Sequence, residues 1–476
     1  MKAHLYQNLA AELEQQILKG VMLVGDKLPS VRRLSREKAL SPSTVFQAYY
    51  QLEAKGLVEA RARSGYYVAY RSAQRSPLEN PQKLPQPDIQ QLDTKAMIKR
   101  IDGIRDRAEM QQLSMAIPAA EYLPLARLNK CMKDALREKG TESLQYAPPA
   151  GFLHLRRFIC AQLLAWWPEG DPDQLMVTQG AMEGLSICLR TICKRGDIIA
   201  MDELTYFGIH QLVENLGLQV VPIPQEGDTG INLHYLEQVL NLFAIKACLF
   251  VPSFHNPTGN SMPESKKQAL VALISRRRIP LIEDDVYGEL FFDKKRPLPC
   301  KHFDKEGWVL YCSSFSKTLA PGYRVGYCMG GRFHEELLWE KRISSHSSSS
   351  LPQLCLARFL EIGRYQAHLA KLRASLHTNM LKYAQLFMDA FPEEVRFCSP
   401  KGGMVFWLQM PKGAEARILF GQAQAKGIII SPGGIFASKP GFEHCFRLSF
   451  ASPLTKNIEK SIYYVGDLTQ KLLKLN

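Results

Sequence analysis

The sequence predicts an α/β protein in two unequal parts: a small helical head with a two-stranded wing, and a large body built on a mostly parallel sheet. Three observations carry this prediction. The first 70 residues hold short amphipathic helices that end in a glycine-centred hairpin. Residues 71–110 lose that periodicity and gather Pro77, Pro81, Pro85 and Pro87. From residue 111 onward, short apolar runs alternate with helix-length segments. A chain of 476 residues calls for two or three domains, and we set the boundaries at 1–70, 71–110 and 111–476. A smaller C-terminal subdomain is expected over residues 355–476.

Bulk composition narrows the class. Hydrophobic residues make up 46% and charged residues 22%, enough apolar material for a globular core. No apolar run is long enough to span a membrane, and the charged opening "MKAHLYQNLAAELEQ" lacks a signal peptide's apolar centre. The 11 cysteines include no C-x-x-C pair, so a cytoplasmic chain with reduced thiols is expected, and no metal site. Net charge is +14. Residues 1–75 hold 5 Lys and 7 Arg against 6 acidic residues, a net +6 that leaves +8 for the other 401. The head is thus the more basic part per residue, as phosphate contact requires.

In the head, Leu5, Leu9, Leu13 and Ile17 form one apolar stripe, closed by Gly20 and Gly25. Ser30 caps a second helix, "VRRLSREKAL". Ser41 caps a third, with Pro42 at its first position, where no N–H is needed. On that third helix Val45, Ala48, Tyr49 and Leu52 share one face and Gly56 ends it, while Ser43, Thr44 and Gln47 occupy the other. "GLVEARARSGYYV" then reads as a hairpin wing around Gly65. This is the winged helix-turn-helix plan, whose third helix fits a major groove; a protein-interaction module is the alternative. The spacer, if fully extended, reaches at most ~130 Å, and a helix is expected to resume near "DTKAMIKRIDGIRDRAEM".

In the body, seven runs read as strands: "QLMVTQG", "DIIAMDE", "LQVVPIP", "ACLFVPS", "IPLIEDD", "WVLYCSS" and "VGYCMGG". Ligands on such sheets bind beyond the carboxyl ends of the strands, so the residues that follow each run should carry the chemistry. Gly180, Ala181 and Met182 follow the first and open a helix. Tyr206 follows the second, and Asn256 in "HNPTG" follows the fourth. Asp284 and Tyr287 follow the fifth; Ser314, Ser316 and Lys317 follow the sixth, with Arg324 close behind. Arg447 lies in the late apolar run "CFRLSF". Pyridoxal 5′-phosphate (PLP) matches this set. Lys317 offers the amine for its aldehyde, and Asp284 a carboxylate for its ring nitrogen. Ser314, Ser316, Ala181 and Arg324 suit the phosphate, and Tyr206 suits the ring face. Asn256 and Tyr287 can bond the ring hydroxyl, and Arg447 offers a fork for a ligand carboxylate. "KKRPLPCKH" from Lys294 reads as a solvated basic stretch and the serines from Ser344 as a mobile loop. His368 and Arg373 read as structural helix residues.

Two resemblances now become specific. "LYQNLAAELEQQILKGVMLVGDKLPSVRRLS" with "SPSTVFQAYYQLEAKGLVEARARSGYYV" resembles the GntR-type DNA-binding domain. That implies DNA contacts by Arg32, Ser43, Thr44, Arg61 and Arg63, to which Ser41, Gln47 and Tyr49 are added as candidates. Pro42 departs from the family's usual basic residue. "YAPPAGFLHLRRFI", "TQGAMEGL", "VPSFHNPTGNSM", "IEDDVYGEL", "SFSKTLAPGYRVGY" and "GIIISPGGIFAS" resemble the class I aminotransferase, fold-type-I pattern from residue 111 to the end. By matching position, Tyr146 resembles the tyrosine that reaches a neighbouring subunit's phosphate, which implies a homodimer. Ala181 stands where many relatives carry a hydroxyl, and "SMAIPAAEYLP" lacks the usual glycine near the substrate.

Head and body together are similar to the MocR subgroup of bacterial regulators. The resemblance implies a PLP-dependent transcriptional regulator that binds double-stranded operator DNA as a homodimer; in related proteins the heads are commonly exchanged between subunits, an arrangement the spacer's reach permits. A small amine or amino-acid effector would engage Lys317 and Arg447. A working aminotransferase with a fused DNA-binding head is the alternative, since Lys317, Asp284 and Arg447 are all present. A third reading treats the body as a dimerisation platform alone.

Overall fold

The computed structural model describes residues 5–18, 22, 24–61, 64–69, 84–90, 92 and 110–475. In the head, α1 (Leu5–Leu18), α2 (Val31–Glu37) and α3 (Pro42–Ala54) pack together. The hairpin of β1 (Val58–Arg61) and β2 (Gly65–Val68) follows. Leu9, Leu13 and Ile17 are buried, but Leu5 at the start of the stripe is 63% exposed. Both expected caps form: Ser30 Oγ accepts from Arg33 N at 3.3 Å, and Ser41 Oγ from Thr44 N at 3.1 Å. The second helix is shorter than its periodic pattern, because Ala39 turns left-handed (φ 51°) and ends it. Gly20, Arg63, Pro77 and Pro81, and the helix expected near residues 93–110 apart from Met110 at its end, lie outside the described residues.

The body is organised by a seven-stranded sheet in the order β4-β10-β9-β8-β7-β5-β6. These are Leu175–Thr178 (β4), Ile198–Asp202 (β5), Gln219–Ile223 (β6), Ile245–Phe250 (β7), Leu281–Asp284 (β8), Val309–Ser314 (β9) and Gly326–Met329 (β10). All seven apolar runs have become strands. β5 to β9 pair in parallel, whereas β10 runs antiparallel between β4 and β9. Side chains on both faces are buried, which is why each run reads as continuously apolar rather than alternating.

A smaller antiparallel sheet holds β11 (Arg396–Phe397), β12 (Val405–Gln409), β14 (Ser431–Pro432) and β15 (Cys445–Ser449). Beside it, β13 (Ile428–Ile429) pairs in parallel with β3 (Gln111–Gln112), the strand with which the body begins. Part of the proline-rich stretch lies on the body as well. Gln90 exchanges backbone hydrogen bonds with Val220 of edge strand β6, at 2.7 and 3.0 Å. Ile89 and Leu92 pack against the cores on either side of that edge. The head also meets the body, where Glu14 Oε1 lies 3.7 Å from His377 Nδ1.

Two loop expectations are corrected. Arg296 in the basic stretch is nearly buried, pairing with Asp285 and Glu289. The serines from Ser344 are built in: Ser348 and Ser350 are buried, and Ser350 begins the helix Ser350–Glu361.

Candidate functional site

The carboxyl ends of β4, β5, β7, β8 and β9 open into one cavity of about 260 Å³. Ala181, Met182, Tyr206, Asn256, Asp284, Tyr287, Ser314, Ser316, Lys317, Arg324 and Arg447 all line it. Parallel crossovers bring the ends of successive main-sheet strands, from Ala181 to Arg324, to the same edge, and Arg447 joins them from β15 of the smaller sheet.

At one end lies an anion cradle. The helix Ala181–Ile192 begins directly after Gly180, whose φ of 80° turns the chain from strand to helix. Its first amides face the cavity from a helix N-terminus. Arg324 donates to Gln179 O at 3.2 Å and to Ser316 Oγ at 3.4 Å. A Cβ on residue 180 would sit 2.5 Å from Arg324 Nη2, so glycine is what lets the guanidinium close over this turn. Beneath it, Glu183 accepts from Gln179 N at 2.6 Å and from the fully buried Lys341 at 2.6 Å. Lys341 offsets an acidic charge that would oppose an anion. Sequence reading missed this brace, because nothing local links positions 183 and 341.

In the middle of the cavity, Asp284 is buried and accepts from Val286 N at 3.3 Å. Burial pushes its carboxyl up to about 7, helped by neighbouring Asp285. Asp285 itself turns away and accepts from Tyr311 Oη at 2.7 Å and from Arg296, so the two adjacent aspartates divide into one for the cavity and one for the framework. Lys317 Nζ donates to Ala116 O at 2.8 Å and lies 5.7 Å from the centre of the Tyr287 ring. The backbone just beyond Lys317 is fixed by His368, which contacts Thr318 O at 2.7 Å, a structural role as expected.

At the far end, Arg447 on β15 is buried, with its guanidinium 4.6 Å from the centre of the Phe436 ring. It donates to Asn256 Oδ1, to Ser114 O and to Ser431 Oγ. Residues 114–117 therefore cross the cavity as a strap whose carbonyls hold both Lys317 and Arg447. No sequence signal marks such contacts, since every residue has a carbonyl. Tyr146 does not line this cavity. It is 84% exposed, packed edge-on against His346 at 5.3 Å.

The donor set fits pyridoxal 5′-phosphate. Gly180 leaves the space that Arg324 needs beside the helix amides, and Ser314 and Ser316 add hydroxyls. Asp284 is a buried carboxyl to which a protonated ring nitrogen would bring the missing counter-charge.

On the head, Arg32, Ser41, Ser43, Gln47 and Arg61 are exposed and Thr44 is half-buried. The Ser41 hydroxyl is engaged in its cap and bonds Ser43 and Thr44 hydroxyls at 2.8 and 2.7 Å. Arg61 stacks 4.4 Å over the Tyr67 ring and pairs with Glu59. Tyr49 is a correction: it is 1% exposed, and its hydroxyl donates to Pro29 O at 2.6 Å. It falls on the apolar face with Val45 and Leu52 and supports α3 from within. Arg63 lies outside the described residues.

Comparison with known proteins agrees with this geometry. The family model for class I and II aminotransferases matches residues 115–463, and that for gntR-family bacterial regulatory proteins matches residues 5–68. The uncharacterized HTH-type transcriptional regulator YjiR of Escherichia coli (strain K12) is 33% identical, covering 98% of this chain and 99% of its own. The 2-aminoadipate transaminase of Thermus thermophilus is 28% identical, covering 79% of this chain and 94% of its own. Among solved structures, Thermus thermophilus LysN, an alpha-aminoadipate aminotransferase complexed with N-(5'-phosphopyridoxyl)-L-leucine, superposes with a TM-score of 0.75 at 27% identity. That match covers 80% of this chain and 97% of LysN. The chain belongs to the class I and II aminotransferase family and carries a gntR-family head at its N-terminus.

Proposed function

We propose that this chain is a transcriptional regulator of the MocR type: the head binds operator DNA and the body binds PLP together with an amino-acid effector. Most support comes from the convergence of Lys317, Asp284, Arg324 and Arg447 in one cavity, on a chain that also presents the exposed polar face of α3. Bound there, PLP supplies an aldehyde and an electron-accepting ring. Lys317 would hold it covalently, Asp284 would keep its ring nitrogen protonated, and Tyr206 would cover the ring. Asn256 and Tyr287 would bond its ring hydroxyl. The helix amides at Ala181 and Met182, with Ser314, Ser316 and Arg324, would hold its phosphate. Arg447 would orient an incoming carboxylate beside Lys317.

In this reading the molecule acts as a homodimer, and Tyr146, exposed on its own chain, reaches the partner's cavity. We retain residues 1–70, 71–110 and 111–476 as its functional divisions. Ser43, Thr44 and Gln47 face base edges, while Arg32 and Arg61 face phosphates. The effector acts only so far as it favours one arrangement of the heads. Selecting duplexes from a random library, then measuring affinity and footprint with and without PLP and amino acids, tests the proposal. Identical DNA binding in all conditions would sink the sensing role. A second reading, steady transamination, is favoured by the completeness of the lysine, aspartate and arginine set. Turnover of an amino donor with a keto acceptor would reveal it.

A further inference from the structure

The cavity's inventory of charge limits what the effector can be. Among the described residues that line it, the acids and cations are Asp284, Lys317, Arg324 and Arg447. If the proposed function holds, three of these are committed to the cofactor: Lys317 to its aldehyde, Asp284 to its ring nitrogen and Arg324 to its phosphate. Of the charges this chain's described residues bring to the cavity, Arg447 alone remains for the effector, and one guanidinium fork satisfies one carboxylate.

Around Arg447 the described lining adds polar groups, from Gln112, Ser114, Asn256 and Ser431, but no further charge. Ser431 is its cross-strand partner on β14, and Ile429, two residues earlier, also lines the cavity. Ile429 is in turn paired with Gln112 of β3. Met115, Ile117, Phe207 and Val286 add apolar surface to the same cavity. A second carboxylate or an ammonium placed here would lose water and gain no opposite charge, which buried ions do not tolerate. Tyr146, proposed to enter a partner's cavity, would add a phenol rather than a cation.

We infer that the effector is an amino acid with an uncharged, largely apolar side chain, and that dicarboxylic and basic amino acids are rejected. This rests on the proposed function of the same cavity. The discrimination is expected to be at least ~10-fold, the scale on which a site leaves a polar group unmatched.

The test uses the full-length chain loaded with PLP, following the cofactor's visible absorbance and the protein's thermal midpoint. L-leucine and L-methionine are compared with L-glutamate, L-2-aminoadipate and L-lysine. The neutral amino acids should half-saturate both signals at concentrations at least ~10-fold below the charged ones. Ile429→Arg, which adds a cation to the wall, should narrow or invert the leucine-to-glutamate ratio while keeping the chromophore. Should that variant lose its cofactor, Ile117→Arg puts the same question from the strap. Half-saturation by glutamate, 2-aminoadipate or lysine at or below the leucine concentration would overturn the inference. So would an intact chromophore that no amino acid perturbs, although PLP binding would then stand. A wild-type chain that forms no chromophore at saturating PLP would overturn the proposed function and the ligand class together.

Discussion

Lys317 Nζ donates to the carbonyl of Ala116 at 2.8 Å, and through this bond the strap at the start of the body holds the amine proposed to attach the cofactor. Replacing Lys317 by Ala should abolish the visible PLP band. With the wild type, PLP at 100 times its dissociation constant should add about 2.7 kcal/mol of stability. Lys317→Ala at the same concentration should gain clearly less, as read by thermal denaturation.

Arg447→Gln should leave the PLP spectrum intact and weaken the amino-acid response. Loss of a charge-assisted fork costs roughly 2–3 kcal/mol, which lowers effector affinity on the order of 100-fold. Absorbance titration separates the two effects, since the cofactor band serves as the control for folding.

Gly180→Ala should impair cofactor binding without removing any functional side chain. The new Cβ would meet Arg324 Nη2 at 2.5 Å, on a backbone with φ of 80° that alanine resists. A raised PLP dissociation constant, measured by fluorescence quenching, is the expected result. An unchanged constant would show that Arg324 can move aside freely.

Asp284→Asn should alter the pH dependence of the cofactor-free chain. The native carboxyl titrates near about 7 and an unfolded one near 3.8. Between these values the folded state binds more protons, so its contribution to stability is full below the unfolded value and is lost as pH rises through the folded one. Removing the charge should therefore raise the thermal midpoint at pH 8 and change it little at pH 4. With PLP present the same variant should bind the cofactor more weakly, because the ring nitrogen loses its counter-charge.

In the head, Arg61→Ala should reduce the salt dependence of DNA binding by a slope of about 1, as expected for one phosphate contact. Tyr49→Phe should behave differently. It removes the hydroxyl bond to Pro29 O and should cost about 1 kcal/mol of head stability. DNA affinity and sequence preference should stay unchanged. A specific loss of base preference would return Tyr49 to the DNA-facing set.

Much of this arrangement was legible beforehand. Seven apolar runs became seven strands because burial on both faces leaves an unbroken hydrophobic signature. The cavity residues could be found because parallel crossovers carry successive strand ends to one edge. What stayed hidden depends on long-range partners. Ser114 and Ala116 contribute carbonyls, which carry no residue-specific mark. Lys341 and Glu183, on the helices His334–Ser344 and Ala181–Ile192, form a brace visible only once the two helices are packed. Arg296 sits in a run of basic residues yet folds inward to Asp285, so local charge was a poor guide. Tyr49 shows the reverse: its spacing from Val45 and Leu52 already placed it on the inner face of α3.

The bond pair between Gln90 and Val220 has a consequence for the kind of operator the molecule can grip. Because the chain is fastened again at Gln90 on the rim of the main sheet, the stretch from Ala69 to Gln90 can pay out no more than ~75 Å, against ~130 Å for an untethered spacer. Each head is thus kept on a short radius, and a dimer of such chains would measure the distance between half-sites rather than tolerate any separation.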